Sequence, residues 1–212
     1  MATITKEEIL KNLTGKNDEI KLEFLEKVTK NAEADQETRK TAFILMTDIY
    51  IKKMWWGNAA KAFMNAADLA KTFDEKKDLF FKSGTYFVKS DDYFTAEDTF
   101  RKAMVLAAKK DREPMKETVI NVYLNLAREY ESKRMQTKAI SVYNKTLTLN
   151  LPIEKANEIR EKMAVLYEKI GKPREATQIR QQKASAVEAE KKKVVPKVED
   201  DDDELKAEDL LR

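Results

Sequence analysis

Four times along this chain a stretch that ends in an aromatic residue is followed, nine residues later, by an alanine that opens a second stretch. Phe43-x-x-x-Thr47-x-x-Tyr50 leads to Ala59-x-x-x-Phe63-x-x-Ala66, and Phe80-x-x-x-Gly84-x-x-Phe87 leads to Ala96-x-x-x-Phe100-x-x-Ala103. Tyr123-x-x-x-Ala127-x-x-Tyr130 leads to Ala139-x-x-x-Tyr143-x-x-Thr146, and Ala164-x-x-Tyr167 leads to Ala176. Apolar residues spaced by three and four mark one face of a helix. A pair of such helices that recurs is a unit too small to bury its own apolar face, so successive units must stack into a continuous core. With only four Gly and four Pro, and no sustained strand alternation, the chain reads as about ten helices joined by short polar turns. Thr5 with Glu8 forms a capping-box start, Asp35 and Asp74 are read as N-caps, and Gly171 followed by Pro173 ends one helix and begins the next.

The alanines are placed by packing. Two helices whose backbones approach closely need a small residue at the crossing, while large aromatics fill the space between successive pairs. Ala59, Ala66, Ala96, Ala103, Ala139 and Ala176 are expected at such crossings. The order of a large, a small and an aromatic residue on the first helix, then alanine, aromatic and alanine on the second, resembles the tetratricopeptide repeat. The expected fold class is therefore all-α, a right-handed α-solenoid of tetratricopeptide-like hairpins. Its repeats are long: Ala59 to Ala96 is 37 residues, Ala96 to Ala139 is 43 and Ala139 to Ala176 is 37, against about 34 for the common repeat. In the fourth unit Arg160 and Arg180 stand where aromatics would be and read as the polar face of a terminal cap.

Composition removes whole classes of chemistry. The chain has no histidine and no cysteine, hence no neutral-pH imidazole base, no thiolate nucleophile and none of the usual zinc ligands. Its glycines are isolated, so no loop can wrap a phosphate. No cofactor or metal is expected, since Asp200–Asp203 lack the spaced ligands of a calcium loop. A hydrolase working with carboxylates alone is a further class, but no carboxylate pair is marked off from the many others. No run approaches the roughly 20 apolar residues of a membrane span, and the N-terminus lacks a secretory apolar core. A cytoplasmic protein with at most peripheral membrane contact is expected. The net charge of +3 over 212 residues argues against a nucleic-acid partner. Charge is unevenly spread: residues 183–212 hold 7 basic and 10 acidic side chains, net −3, which leaves +6 on residues 1–182. The expected organisation is N-terminal helices over 1–34, repeats over 35–182, a charged linker or helix extension over 183–198 and an acidic tail over 199–212.

A narrower resemblance lies in residues 50–107. Trp56 at a helix start, Ala59, Phe63, Ala66-Ala67 with Leu69, then Ser83-Gly84, Phe87 and Ala96 resemble the central repeats of the soluble NSF attachment proteins. The acidic end of the chain, Glu208-Asp209-Leu210-Leu211-Arg212, resembles that family's C-terminus. The resemblance implies a non-enzymatic adaptor that binds a SNARE-like helical bundle and presents it to a hexameric AAA+ ATPase through this tail. The other reading within the same fold is a general tetratricopeptide scaffold for protein partners, its tail a solubiliser. Phe24 stands alone among polar residues, so no exposed aromatic membrane loop is expected near the N-terminus.

Superposing the units places Lys52, Lys89, Ser132 and Lys169 at the thirteenth position of the first helix and Asp48, Thr85, Arg128 and Val165 at the ninth. Lys52, Lys89 and Lys169, with Arg128, would form a basic edge that attracts an acidic helical bundle, or would be ordinary solvated helix ends beside the C-terminal dipole. The fifth position holds Ile44, Phe81, Leu124 and Glu161. It lacks the Lys and Asn pattern by which some repeat proteins clamp a chaperone's terminal carboxylate. Trp55 and Trp56 cannot both face one core, because neighbours on a helix point about 100° apart. Trp55 is thus a candidate partner contact, the other reading being that both rings pack at the turn.

Overall fold

The computed structural model describes residues 5–182. They belong to two compact units, Met1–Leu149 and Asn150–Arg212, and their regular structure is helical throughout. The first unit runs α1 (Lys6–Leu13), α2 (Asp18–Lys30), α3 (Gln36–Lys52), α4 (Trp56–Asp68), α5 (Phe73–Lys89), α6 (Tyr93–Leu106), a 3-10 turn (Lys109–Asp111), α7 (Arg112–Ser132) and α8 (Gln136–Leu147). The second holds α9 (Ile153–Lys169) and a helix over residues 173–182. The pairs α3/α4, α5/α6 and α7/α8 are hairpins of tetratricopeptide type, and α4 also packs along α5, joining one hairpin to the next.

Short polar side chains start these helices by accepting from otherwise orphaned backbone N–H groups. Thr5 and Glu8 close a reciprocal capping box on α1, at 3.3 and 2.9 Å. Asn17 accepts from the Ile20 N–H and Asp35 from the Thr38 N–H. Asp74 is not an N-cap: Thr72 takes that place on α5 by accepting from the Glu75 N–H at 3.2 Å, which leaves Asp74 in the first turn, where its charge suits the helix dipole.

The ends of the first helices explain the interval of nine. In each of the four hairpins the aromatic Tyr50, Phe87, Tyr130 or Tyr167 offers its carbonyl to the N–H five residues later, at 2.8 to 3.0 Å. The residue between, Met54, Asp91, Arg134 or Gly171, has a positive φ of 56°, 61°, 57° or 74°. Its own N–H returns to the carbonyl three residues back, at 2.9 to 3.1 Å. This pair of bonds is the Schellman turn. It places the second helix's first residue six positions after the aromatic, at Trp56, Tyr93, Gln136 and residue 173, and the alanine one turn later.

All six crossing alanines are buried. The crossing of α5 with α6 leaves no room for a side chain at Gly84: a Cβ there would come within 2.7 Å of the Phe100 ring, itself buried. The helices α1 and α2 share a core with the first repeat, Ile9, Leu22, Leu25 and Val28 meeting Ala42, Met46, Ile49 and Tyr50. Phe24 packs half-buried against this core with the Lys16 ammonium 5.6 Å from its ring.

One charge is buried between hairpins. Lys40 on α3 donates to Glu75 on α5 at 2.5 Å and pairs with Glu37 at 2.9 Å. Burial alone would lower its pKa, but the bonds to Glu75 and Glu37 outweigh it and the pKa is raised. In the second unit Ile159, Met163, Ala164, Leu166 and Ala176 form the buried side. There Arg180 takes the aromatic position and pairs with Glu161 at 3.1 Å and Glu168 at 2.6 Å, while Arg160 donates to Asn157 at 3.0 Å.

Candidate partner-binding surface

A stack of hairpins lines up its first helices side by side, and what they leave uncovered between them is the natural place for a ligand segment. In the first unit α5 and α7 are two such neighbours. Between them lies a groove of about 380 Å³ lined by Asp78, Phe81 and Lys82 of α5 and by Asp111, Pro114, Met115 and Thr118 at the start of α7. Phe81 and Met115 are half-buried: their inner sides pack on the cluster of Phe63, Leu79, Phe80 and Ala103, and their outer sides form the groove floor. The rim carries charge of both signs. Lys77 donates to Asp74 at 3.0 Å, with Asp78 at 3.8 Å. Its pKa is raised, first by the bond to Asp74 and further by the charges of Asp78 and Asp111. Such a groove can seat an apolar side chain and orient polar neighbours.

Three of the four basic residues singled out by repeat position, Lys52, Lys89 and Arg128, have partners within the fold. Lys52 donates to Asp18 of α2 at 3.1 Å, and this bond, ahead of all other effects, holds the Asp18 carboxyl below its ordinary value. Lys89 lies 5.0 Å from the Trp56 ring centre and 5.6 Å from that of Tyr86, a cation over two aromatic faces. Arg128 is exposed and donates to Asn125 at 3.2 Å. Lys169 ends α9 in the second unit and is exposed. Glu208, Asp209, Leu210, Leu211 and Arg212 lie outside the described residues.

The two tryptophans divide as neighbours on a helix end must. Trp56 opens α4 half-buried and stacks on Tyr86, 6.1 Å between ring centres, and Tyr86 stacks in turn on Phe63 at 5.5 Å. Trp55 is 48% exposed, with Tyr50 6.1 Å away and the Lys53 ammonium 5.3 Å from its ring. It stands at the position after the positive-φ residue, where a Schellman turn brings an apolar contact onto the last turn of the helix, and Tyr50 is that partner.

The repeat superposition gave Phe81 only as a fifth-position residue, and nothing marked Met115 or Asp111. Their signal was the interval of 43 residues between Ala96 and Ala139. Most of its excess lengthens α7 to 21 residues, against 17 in α3 and α5, and the added first turn is the groove's second wall.

Among the described residues no group of three or more acidic, histidine or cysteine side chains could hold a metal, and no helix is long and apolar enough to cross a membrane. No family model matches the chain. No curated protein matches it either. Solved structures with a related helical arrangement include a crystal structure of BtubC (BKLC) from P. vanneervenii, 15% identical over 84% of this chain and 74% of that one, with a TM-score of 0.35. Two crystal structures of MamA are 19% and 18% identical; they cover 91% and 89% of this chain and 98% and 92% of theirs, each with a TM-score of 0.37. At these scores the likeness adds no weight to the fold, which rests on the hairpins themselves.

Proposed function

We propose that this protein is a non-enzymatic scaffold that holds a helical segment of a protein partner in the groove between α5 and α7. The supporting observation is the half-buried pair Phe81 and Met115, an apolar floor between two first helices with a rim of mixed charge. The test is retention of partners from lysate by the full chain and by Met115→Glu, whose half-buried side chain lines the groove above the core cluster. Loss of a specific partner at unchanged melting temperature supports the reading; identical retention by both proteins overturns it.

The finer reading from the sequence resemblance is an adaptor that presents a SNARE-like bundle to an AAA+ ATPase through Glu208, Asp209, Leu210, Leu211 and Arg212. What favours it is the acidic run with its paired leucines at the chain's end, the composition of a docking peptide for a basic pocket. A chain ending at Glu204 separates the two readings. An ATPase retained only by the full chain supports the adaptor; the same partners and no ATPase with both leaves the general scaffold.

A further inference from the structure

Hairpin α5/α6 carries a second depression, of about 430 Å³, lined by Lys76 and Phe80 of α5 and by Arg101, Lys102, Val105 and Leu106 of α6, with Asp98 at its edge. Phe80 is buried, yet two ammonium groups face its ring, Lys76 at 5.8 Å and Lys102 at 5.9 Å from the ring centre. Lys102 pairs with Asp98 at 2.9 Å and Arg101 pairs with the same carboxylate. Those two bonds hold the Asp98 carboxyl below its ordinary value. Three cations thus line the depression beside one carboxylate, which pairs with two of them, and Lys76 has no acidic partner among the described residues.

Apolar surface adjoins this charge. Val105 is 71% exposed on the rim, and Phe94, 86% exposed, lies three helical turns earlier on the same side of α6. Apolar surface alone would accept many occupants, and cations alone would accept any anion. Their combination selects a chain segment that carries both an aliphatic side chain and carboxylates.

We infer that this depression is a second docking site, distinct from the groove between α5 and α7, for an acidic segment of a protein partner. One aliphatic side chain of the segment lies against Phe80, Leu106 and Val105, and its carboxylates meet Lys76, Arg101 and Lys102. Ammonium groups already held over an aromatic face are partly ordered, so less freedom is lost when a carboxylate arrives.

The probe is a labelled peptide rich in Asp and Glu with two leucines, titrated into the full chain at low salt and read by fluorescence anisotropy. Saturable binding is expected, weakened about tenfold by Lys76→Glu with Lys102→Glu and by replacement of the peptide's leucines with serine. Lys27→Glu with Lys30→Glu, the same change of charge on exposed α2 positions, should alter affinity by less than about twofold. Met115→Glu should leave this binding unchanged, so that failure at one groove is not read as failure at the other. Absence of binding overturns the inference, as do equal weakening by both double variants, indifference to the leucines, or equally tight binding of a single-stranded oligonucleotide. Melting curves of each variant show that the fold is intact.

Discussion

The first two full hairpins, α3/α4 and α5/α6, have the same backbone and different side chains at its two demanding points. At the crossing, the first has Thr47, buried with its hydroxyl donating to the Ile44 carbonyl at 2.6 Å, and the second has Gly84 under Phe100. At the turn, the positive-φ residue is Met54 in one, its side chain largely in solvent, and Asp91 in the other. The Asp91 carboxylate accepts from Tyr93 at 2.9 Å and from Tyr130 of α7 at 3.1 Å, with Lys138 of α8 at 3.4 Å. The positive φ costs a non-glycine residue on the order of 1 kcal/mol. Met54 is 71% exposed at its turn, whereas Asp91 ties its hairpin to the next.

Alkaline pH should separate the hairpins most strongly. Around the second hairpin and α7, burial, ahead of the bond to Asp91, holds the Tyr93 hydroxyl above its ordinary value, and burial does the same to Tyr123. Burial, with the Asp91 charge behind it, pushes Tyr130 up to about 12. The first hairpin has only Tyr50 in this class. An unfolded tyrosine loses its proton near pH 10 while the folded ones keep theirs, so above about pH 10 the unfolded state binds fewer protons and stability falls; below it the contribution is fully present. Hydrogen exchange should therefore show α6 and α7 losing protection before α3 as pH rises above about 10. Between about pH 5 and 9 a chain without histidine should show nearly constant stability. Simultaneous loss of protection in all three helices would mean that the hairpins do not differ.

Gly84→Ala tests the crossing. Alanine's better helix propensity, about 1 kcal/mol, is set against a Cβ overlapping a buried ring, and the overlap should win by about 1–3 kcal/mol, seen as a lower urea midpoint. Thr47→Ala has no such overlap and should cost about 1 kcal/mol or less. Equal effects at both positions would show that α6 shifts readily to admit the methyl group.

The turns give the smallest and most diagnostic change. Met54→Gly should stabilise by about 0.5–1 kcal/mol in thermal melts, since the positive φ is retained without its strain. Asp91→Gly relieves the same strain but leaves the Tyr93 and Tyr130 hydroxyls without their acceptor, so no gain or a net loss is expected. A gain at both positions would mean that the Asp91 bonds contribute nothing.

These pairs also show what could be read from residue identities. The buried alanines at 59, 96, 139 and 176 were legible because a crossing restricts side-chain size, and size is written in the residue type. The turns were not, because at three of the four hairpin turns the positive-φ residue is Met, Asp or Arg, and packing of the flanking helices overrides their preference. Gly171 alone announced its turn. The N-cap of α5 was displaced from Thr72 to Asp74 because two acceptors of similar type lie two residues apart. The groove between α5 and α7 was visible only as an excess of residues, which has a length but no direction. Sequence position placed Lys52 and Lys89 correctly at helix ends but could not show that Asp18 and Trp56 lie beside them, since those contacts join residues 34 and 33 positions apart.

The Schellman turn also decides where this chain can change in length. One residue inserted between a first-helix aromatic and the alanine nine positions later would rotate the second helix by about 100° and carry its buried face toward water. The same insertion between hairpins only lengthens a connection or adds to a helix end. The interval of nine is held in every unit while the interval between units is not. A change of length is thus borne most easily at the junctions between hairpins, and that is where α7 carries the extra turn that walls the groove.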